Sequence, residues 1–101
     1  MPFLLSARQV HLVDGHILKA VLTKRDGESR DAELDLNDII GNTDGWFMWE
    51  GVNFSQMASD IKLEGSVLSA QLPKRDGGYI ERQRIELNDR ISNEDGVLVF
   101  L

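Results

Sequence analysis

The sequence predicts an all-β protein built from two similar halves, with a few one-turn helices. The first reason is a phrase written twice, LNDIIGNTDGW at residues 36–46 and LNDRISNEDGV at residues 87–97. The second is that apolar and polar residues alternate along most segments, as they do in strands with one buried face. The third is the recurrence of Asp-Gly pairs, which are typical of hairpin turns, between those segments.

The duplication extends over the whole chain. GHILKAVLTKRDG at residues 15–27 lies over GSVLSAQLPKRDG at residues 65–77, and one-residue slips fall where turns are expected. We therefore divide the sequence into repeats 1–50 and 51–101. Because a unit of about 50 residues buries too little surface to be stable alone, we expect one domain spanning residues 1–101.

Each repeat opens with a predicted helical turn, because its apolar and small residues lie three and four positions apart. These residues are Phe3, Ser6 and Ala7 in repeat 1, and Phe54, Met57 and Ala58 in repeat 2. A strand follows, and its shared apolar residues have one parity, which indicates that they face the core. They are Leu18, Ala20 and Leu22, matched by Leu68, Ala70 and Leu72.

KRDG then forms a turn in each repeat, with Asp-Gly supplying the positive φ. The next strand alternates in the same way, with Ala32, Leu34 and Leu36 inward in repeat 1 and Ile85 and Leu87 inward in repeat 2. The spacing of Leu36 and Ile40, repeated by Leu87 and Ile91, predicts a second helical turn. A short apolar strand after the next Asp-Gly closes each repeat, at residues 46–49 and 97–100.

The composition excludes several classes of partner. The net charge of −6 and the pI near 4.7 argue against nucleic acid and against an anionic membrane surface, since both are bound through basic patches. The chain has no cysteine, so its fold depends on no disulfide. MPFLLSARQV has no basic region and does not have the pattern of a secretory signal, so we expect a cytoplasmic protein, with a secreted one as the alternative.

No pattern of catalytic or metal-binding residues is visible, and we expect neither an enzyme nor a cofactor or metal. His11 and His16 have no counterpart in the other repeat and no metal-ligand spacing. The Asn-x-Asp-Gly phrases resemble part of an EF-hand loop, but Ile40 and Ile91 stand where the first oxygen ligand is needed. A turn closed by Asn and Asp side chains, with a left-handed glycine, explains these phrases without any ligand.

The two repeats together resemble the cyanovirin-N family of carbohydrate-binding proteins. LNDIIGNTDGWFMW, VNFSQMASDIKLEGSVLSA and IELNDRISNEDGVLVF carry the resemblance, which covers essentially the full chain. It implies a pseudo-symmetric fold in which each repeat contributes a three-stranded sheet and a β-hairpin, with segments exchanged between the repeats. Lacking cysteine, the chain is similar to the fungal and fern branches of the family.

Two departures from the family pattern concern the fold. Ala7 with Leu22, and Ala58 with Leu72, stand where cyanobacterial members place disulfides, so we expect packing contacts there instead. Gly51 stands where the family has a hinge proline, so we expect a monomer, with a domain-swapped dimer as the alternative.

The resemblance implies a lectin for high-mannose oligosaccharides or glycoproteins, typically with α1-2-linked mannose, and with no catalysis and no metal. It also implies two pockets, each combining the N-terminal turn and KRDG turn of one repeat with the Asn-x-Asp-Gly phrase of the other. The first pocket would use Ser6, Thr23, Lys24, Arg25, Asp26, Asn93, Glu94 and Asp95. The second would use Asn42, Thr43, Asp44, Asn53, Gln56, Met57, Lys74, Arg75 and Asp76.

We predict that the second pocket is the stronger site. Asn53 and Gln56 stand there where the first pocket has Pro2 and Leu5, which lack hydrogen-bonding side chains. The alternative function is a structural or protein-interaction module that keeps the fold and has lost the sugar sites. The charged KRDG turns favour that alternative.

Overall fold

The computed structural model describes residues 3–79 and 81–101, and it confirms the all-β prediction. Repeat 1 contains β1 (Ala7–Val13), β2 (Ile17–Thr23) and β3 (Ser29–Asp35), followed by β4 (Ile40–Thr43) and β5 (Trp46–Trp49). Repeat 2 contains β6 (Ser59–Glu64), β7 (Val67–Gln71) and β8 (Gln83–Glu86), followed by β9 (Ile91–Glu94) and β10 (Val97–Phe100). Pro2, which entered the ranking of the pockets, lies outside the described residues.

The predicted helical turns are 3₁₀ turns. We label them η1 (Phe3–Ser6), η2 (Leu36–Asp38), η3 (Phe54–Gln56) and η4 (Leu87–Asp89). Phe3 and Phe54 are fully buried, and so are Leu36 and Leu87. Each turn therefore places an apolar side chain in the core at a point where the strand-like alternation of apolar and polar residues is interrupted.

The strands form two three-stranded antiparallel sheets, β1-β2-β3 and β6-β7-β8, and two hairpins, β4-β5 and β9-β10. A β-bulge interrupts β1 at Gln9 and β6 at Asp60, where the backbone takes positive φ. Ala7 pairs with Leu22 across β1 and β2, so apolar residues occupy the place of the family's first disulfide. Ser59 pairs with Gln71 next to the second such place.

Each hairpin packs against the sheet of the other repeat. The strand β10 contacts β3, and β5 contacts β8. Phe47 of the first hairpin meets Phe54 of repeat 2 with ring centroids 5.9 Å apart. The buried cluster consequently takes residues from both repeats: Phe3, Leu18, Ala20, Leu22, Leu36, Ile39, Ile40, Phe54, Leu68, Ile85, Leu87, Ile91 and Leu98.

The asparagine of each LND phrase holds the opening turn of the other repeat. Asn37 Oδ1 accepts a hydrogen bond from the Ser55 amide at 3.1 Å, and Asn88 Oδ1 accepts one from the Leu4 amide at 3.2 Å. This reciprocal bonding gives the duplicated asparagine a structural role, because it satisfies a backbone N–H at the start of a 3₁₀ turn.

The two kinds of Asp-Gly turn differ in the structure. In KRDG, the glycine alone takes positive φ (Gly27 +87°, Gly77 +86°), so our expectation holds for the glycine and not for the aspartate. In the hairpins both residues do, with φ of +48° at Asp44 and +51° at Asp95. Two consecutive residues with positive φ are typical of the type I′ turn that joins twisted antiparallel strands.

Candidate functional site

Two polar grooves lie where the hairpin tip of one repeat meets the KRDG turn of the other. Groove 1 has a volume of about 390 Å³ and is lined by Ser6, Thr23, Lys24, Arg25, Asn93, Glu94 and Asp95. Groove 2 has a volume of about 400 Å³ and is lined by Asn42, Thr43, Asp44, Met57, Pro73, Lys74, Arg75 and Gly77. Each groove requires both repeats, so neither repeat could form one alone.

An asparagine at the hairpin tip anchors each groove. In groove 1, Asn93 Oδ1 accepts the Gly96 amide at 2.8 Å, and Asn93 Nδ2 donates to the Thr23 carbonyl at 3.0 Å and to Ser6 Oγ at 2.8 Å. In groove 2, Asn42 makes the first two of these bonds, to the Gly45 amide at 2.9 Å and the Pro73 carbonyl at 3.0 Å. The same side chain therefore shapes the hairpin and attaches it to the other repeat.

An aspartate then links each hairpin tip to the facing turn. Asp95 Oδ1 accepts the Arg25 amide at 2.9 Å, and Asp44 Oδ1 accepts the Arg75 amide at 2.9 Å. From the sequence, we expected each aspartate to bond the backbone of its own turn. Instead, each side chain bonds the other repeat, 70 residues away for Asp95 and 31 for Asp44. Both aspartates are exposed, and a carboxylate has further lone pairs to offer a ligand.

Asp26 and Asp76, which the sequence assigned to the pockets, close the KRDG turns. Asp26 Oδ1 accepts the Glu28 amide at 2.9 Å, and Asp76 Oδ1 accepts the Gly78 amide at 2.8 Å. The hydrogen bond from Gly78 lowers the pKa of Asp76 below its ordinary value, and the nearby Lys74 adds to this effect. Neither aspartate lines a groove.

Of the three other residues predicted for the second pocket, one lines groove 2 and two do not. Met57 lines groove 2 and is 66% exposed. Asn53 and Gln56 are exposed on or beside η3, and neither lines the groove. Pro73 and Gly77 also line groove 2 and were not predicted to, although Pro73 matches Thr23 of the first pocket in the repeat.

In each groove, cationic side chains lie near a carboxylate of the groove or of the adjacent KRDG turn. In groove 1, Arg25 Nη2 lies 3.9 Å from Glu94 Oε2, and Lys24 Nζ lies 3.6 Å from Asp26 Oδ2. In groove 2, Lys74 Nζ lies 3.8 Å from Asp76 Oδ2. Each groove thus places cationic donors and anionic acceptors within a few ångströms, which suits a ligand that both donates and accepts hydrogen bonds.

The two histidines have local partners. His16 Nδ1 lies 2.8 Å from Asp35 Oδ1, and His11 Nδ1 lies 2.7 Å from the Gln9 carbonyl oxygen. Among the described residues, no three His, Cys, Asp or Glu side chains are grouped so as to hold a metal ion. Within residues 3–79 and 81–101, no helix has the length and apolar character that crossing a bilayer requires.

Comparison with known proteins gives one consistent family. The pattern of the CVNH domain matches residues 3–99. The cyanovirin-N homolog of Tuber borchii is 44% identical over 98 residues, covering 94% of this chain and 94% of the relative. The solved structure of the T. borchii CVNH protein superposes with a TM-score of 0.88 at 42% identity, covering all of both chains.

Two further solved structures contain sugars. Microvirin, in complex with mannobiose, is similar with a TM-score of 0.86 and 31% identity, covering all of both chains. A variant CVNH protein crystallised with (N-GlcNAc)4 has a TM-score of 0.90 and 26% identity, covering 98% of this chain and 96% of its own. Proteins of this fold therefore bind carbohydrates of more than one type.

Proposed function

This chain belongs to the CVNH family, whose members are lectins and not enzymes, and we propose that it binds mannose-rich glycans, typically with α1-2-linked mannose, through grooves 1 and 2. The membership confirms the family resemblance read from the sequence. Carbohydrate binding is common to the sugar-bound structures of this fold, whereas the preference for mannose is our own inference.

The observation that carries the proposal is the pair of aspartates that bridge the repeats. Asp95 and Asp44 are held in place by the Arg25 and Arg75 amides, so their orientation is fixed before a ligand arrives. A sugar hydroxyl both donates and accepts, and it meets a carboxylate acceptor beside cationic donors in each groove. Preorganised polar groups of this kind reduce the ordering that binding would otherwise require.

The expected affinity of one groove is modest. Each hydrogen bond to the sugar replaces one to water, so its net contribution is about 0.5–1.5 kcal/mol. A few such bonds give a Kd on the order of micromolar to millimolar. Strong binding would then require a branched glycan that occupies both grooves at once.

We infer that groove 1 binds more tightly, contrary to the ranking predicted from the sequence. That ranking depended on Asn53 and Gln56, which do not line groove 2. Of the described residues that line groove 1, all seven carry a hydrogen-bonding side chain, whereas five of the eight in groove 2 do. Met57, Pro73 and Gly77 are the three that do not.

The test is a titration of the ¹⁵N-labelled protein with α1-2-linked mannobiose, following the amide signals of Arg25 for groove 1 and Arg75 for groove 2. We expect the Arg25 signal to saturate at the lower sugar concentration. Asp95→Asn keeps an acceptor for the Arg25 amide and removes the negative charge, so it should weaken groove 1 roughly tenfold. The matched variant Asp44→Asn should weaken groove 2 alone.

A parallel titration with (N-GlcNAc)4 separates the sugar class from the site. Tighter binding of (N-GlcNAc)4 than of mannobiose at both grooves would contradict the mannose preference and retain the lectin function. The alternative, a protein-interaction module, is favoured by the charge-paired KRDG turns. No movement of either amide with either sugar would support that alternative and overturn our proposal.

A further inference from the structure

One face of the first hairpin carries large apolar side chains in solvent. Trp46 is 57% exposed and Met48 is 47% exposed, and both lie on β5. They point to the same face because they are two residues apart on one strand. Phe47 and Trp49 point to the opposite face, where Trp49 stacks on Phe100 with ring centroids 5.7 Å apart. The outward tryptophan therefore contributes nothing to that aromatic packing.

Trp46 is adjacent to groove 2. It pairs with Thr43 across the hairpin, and directly paired residues place their Cβ atoms about 5 Å apart on one face of the ladder. Thr43 itself lines groove 2, and its hydroxyl donates to Met48 Sδ at 3.0 Å. Trp46 and Met48 therefore form an apolar rim beside Thr43, next to the residues that line groove 2.

Groove 1 has no such rim. Val97 stands at the position of Trp46, and it pairs with Glu94, which lines groove 1. Val97 is 44% exposed, so the position faces solvent in both repeats, and only repeat 1 fills it with an aromatic ring. The difference cannot come from the needs of the hairpin, since both hairpins share the same register and turn.

We propose that Trp46 is a binding subsite for a second sugar ring of an oligosaccharide whose first ring occupies groove 2; this rests on the proposed function. A pyranose ring has a polar rim of hydroxyls and a flatter face of C–H groups. The exposed Trp46 side chain offers a rigid apolar surface for the C–H face, while the polar groups of groove 2 can bond the hydroxyls. Groove 2 would therefore gain from chain length, and groove 1 would not.

The experiment compares the wild type with Trp46→Val, which introduces the residue of the other repeat, and with Trp46→Tyr, which retains an aromatic ring. The probe is α1-2-linked mannotriose, and the Arg75 amide reports occupancy of groove 2 without depending on tryptophan. We expect Trp46→Val to raise the Kd of groove 2 about three- to tenfold and Trp46→Tyr to raise it less than twofold. Val97→Ala should leave groove 2 unchanged.

Tryptophan emission gives a second readout. Mannotriose should shift or quench the emission of the wild type, and the effect should disappear in Trp46→Val, where Trp49 alone remains. An Arg75 amide that titrates with the same Kd in the wild type and in Trp46→Val would overturn the subsite and leave the lectin function standing. Equal weakening in Trp46→Val and Trp46→Tyr would also overturn it. Silence of both the Arg25 and Arg75 amides would remove the proposed function and the subsite together.

Discussion

Grooves 1 and 2 share a framework and differ at their rims. In both, an asparagine caps the hairpin and an aspartate accepts an arginine amide from the other repeat, at nearly identical distances. Around that framework, groove 1 has Ser6, Thr23 and the neighbouring Val97, where groove 2 has Met57, Pro73 and the neighbouring Trp46. The comparison separates residues that form a groove from residues that set what it binds, a distinction that a single copy could not provide.

The repeats also differ in their sheets. The strand β3 runs from Ser29 to Asp35, whereas β8 runs only from Gln83 to Glu86. The isolated bridge between Pro73 and Tyr79 matches the pair of Thr23 and Ser29, so the proline keeps its place opposite the next strand. Between that bridge and the pair of Ala70 and Gln83 the register changes by one residue, whereas it is constant along β2 and β3. This change of register accompanies the shorter sheet, and Pro73 separately removes a hydroxyl from groove 2.

The largest effect that we expect is a loss of stability from a substitution at the junction between the repeats. The backbones of Gly41 and Gly51 cross closely, and a Cβ on Gly41 would lie 2.9 Å from the Val52 nitrogen. The matching residue of repeat 2 is Ser92, which has a side chain at that position. Gly41→Ser should therefore lower the free energy of unfolding by about 2–3 kcal/mol, because backbone must move to admit the side chain.

Urea unfolding measures this change, and size-exclusion chromatography of the same sample tests the monomer that we propose. Ser92→Ala is the control, since it retains a Cβ at the matching position and should reduce stability by about 1 kcal/mol. A Gly41→Ser protein as stable as the wild type would show that the junction can relax without strain.

The next effect concerns the two anchoring asparagines. Asn93 makes three hydrogen bonds and Asn42 makes the two that are common to both repeats. Asn93→Ala should therefore reduce the free energy of unfolding by about 1 kcal/mol more than Asn42→Ala. Urea unfolding of the two variants gives the difference directly. Equal losses would mean that the bond to Ser6 Oγ contributes nothing to stability.

The smallest effect concerns acid stability. Burial would raise the pKa of Asp35, but hydrogen bonds from His16 and the Asn37 amide outweigh it and lower that pKa. A lowered pKa stabilises the folded state above the unfolded value of about 4, and this stabilisation is lost as the pH falls through the folded value. The repeat 2 counterpart of His16 is Ser66, whose hydroxyl donates to Glu86, the counterpart of Asp35. His16→Ala therefore removes this hydrogen bond, whereas His16→Ser would supply another.

In His16→Ala, the loss of stability on acidification from about pH 6 to about pH 2.5 should be smaller than in the wild type. The difference should be below about 0.5 kcal/mol, because the Asp35 side chain is 40% exposed and solvent screens the interaction. Urea unfolding across this range provides the measurement. If the free energy of unfolding fell equally with pH in the two proteins, His16 would not be the cause of the lowered Asp35 pKa.

Much of the fold could be predicted because its signals are local. The alternation of Leu18, Ala20 and Leu22 identified a buried face, and all three are buried. The Asp-Gly pairs located the hairpin tips, since positive φ is encoded by residue type. The sites were harder to predict. Asp26 and Asp76 carry the right chemistry for a sugar, but their carboxylates close their own turns.

The sequence by itself determined that two β repeats exist, where their turns fall and which side chains enter the core, because periodicity and turn chemistry depend on near neighbours. Tertiary structure alone decided which polar groups share a groove. Ser6 meets Asn93 across 87 residues, and Arg25 meets Asp95 across 70. The hairpin turn itself pairs Trp46 with Thr43, but only the tertiary structure places Thr43 against the KRDG turn of repeat 2. Such neighbours follow from how the hairpins pack on the opposite sheets, and no local pattern records that.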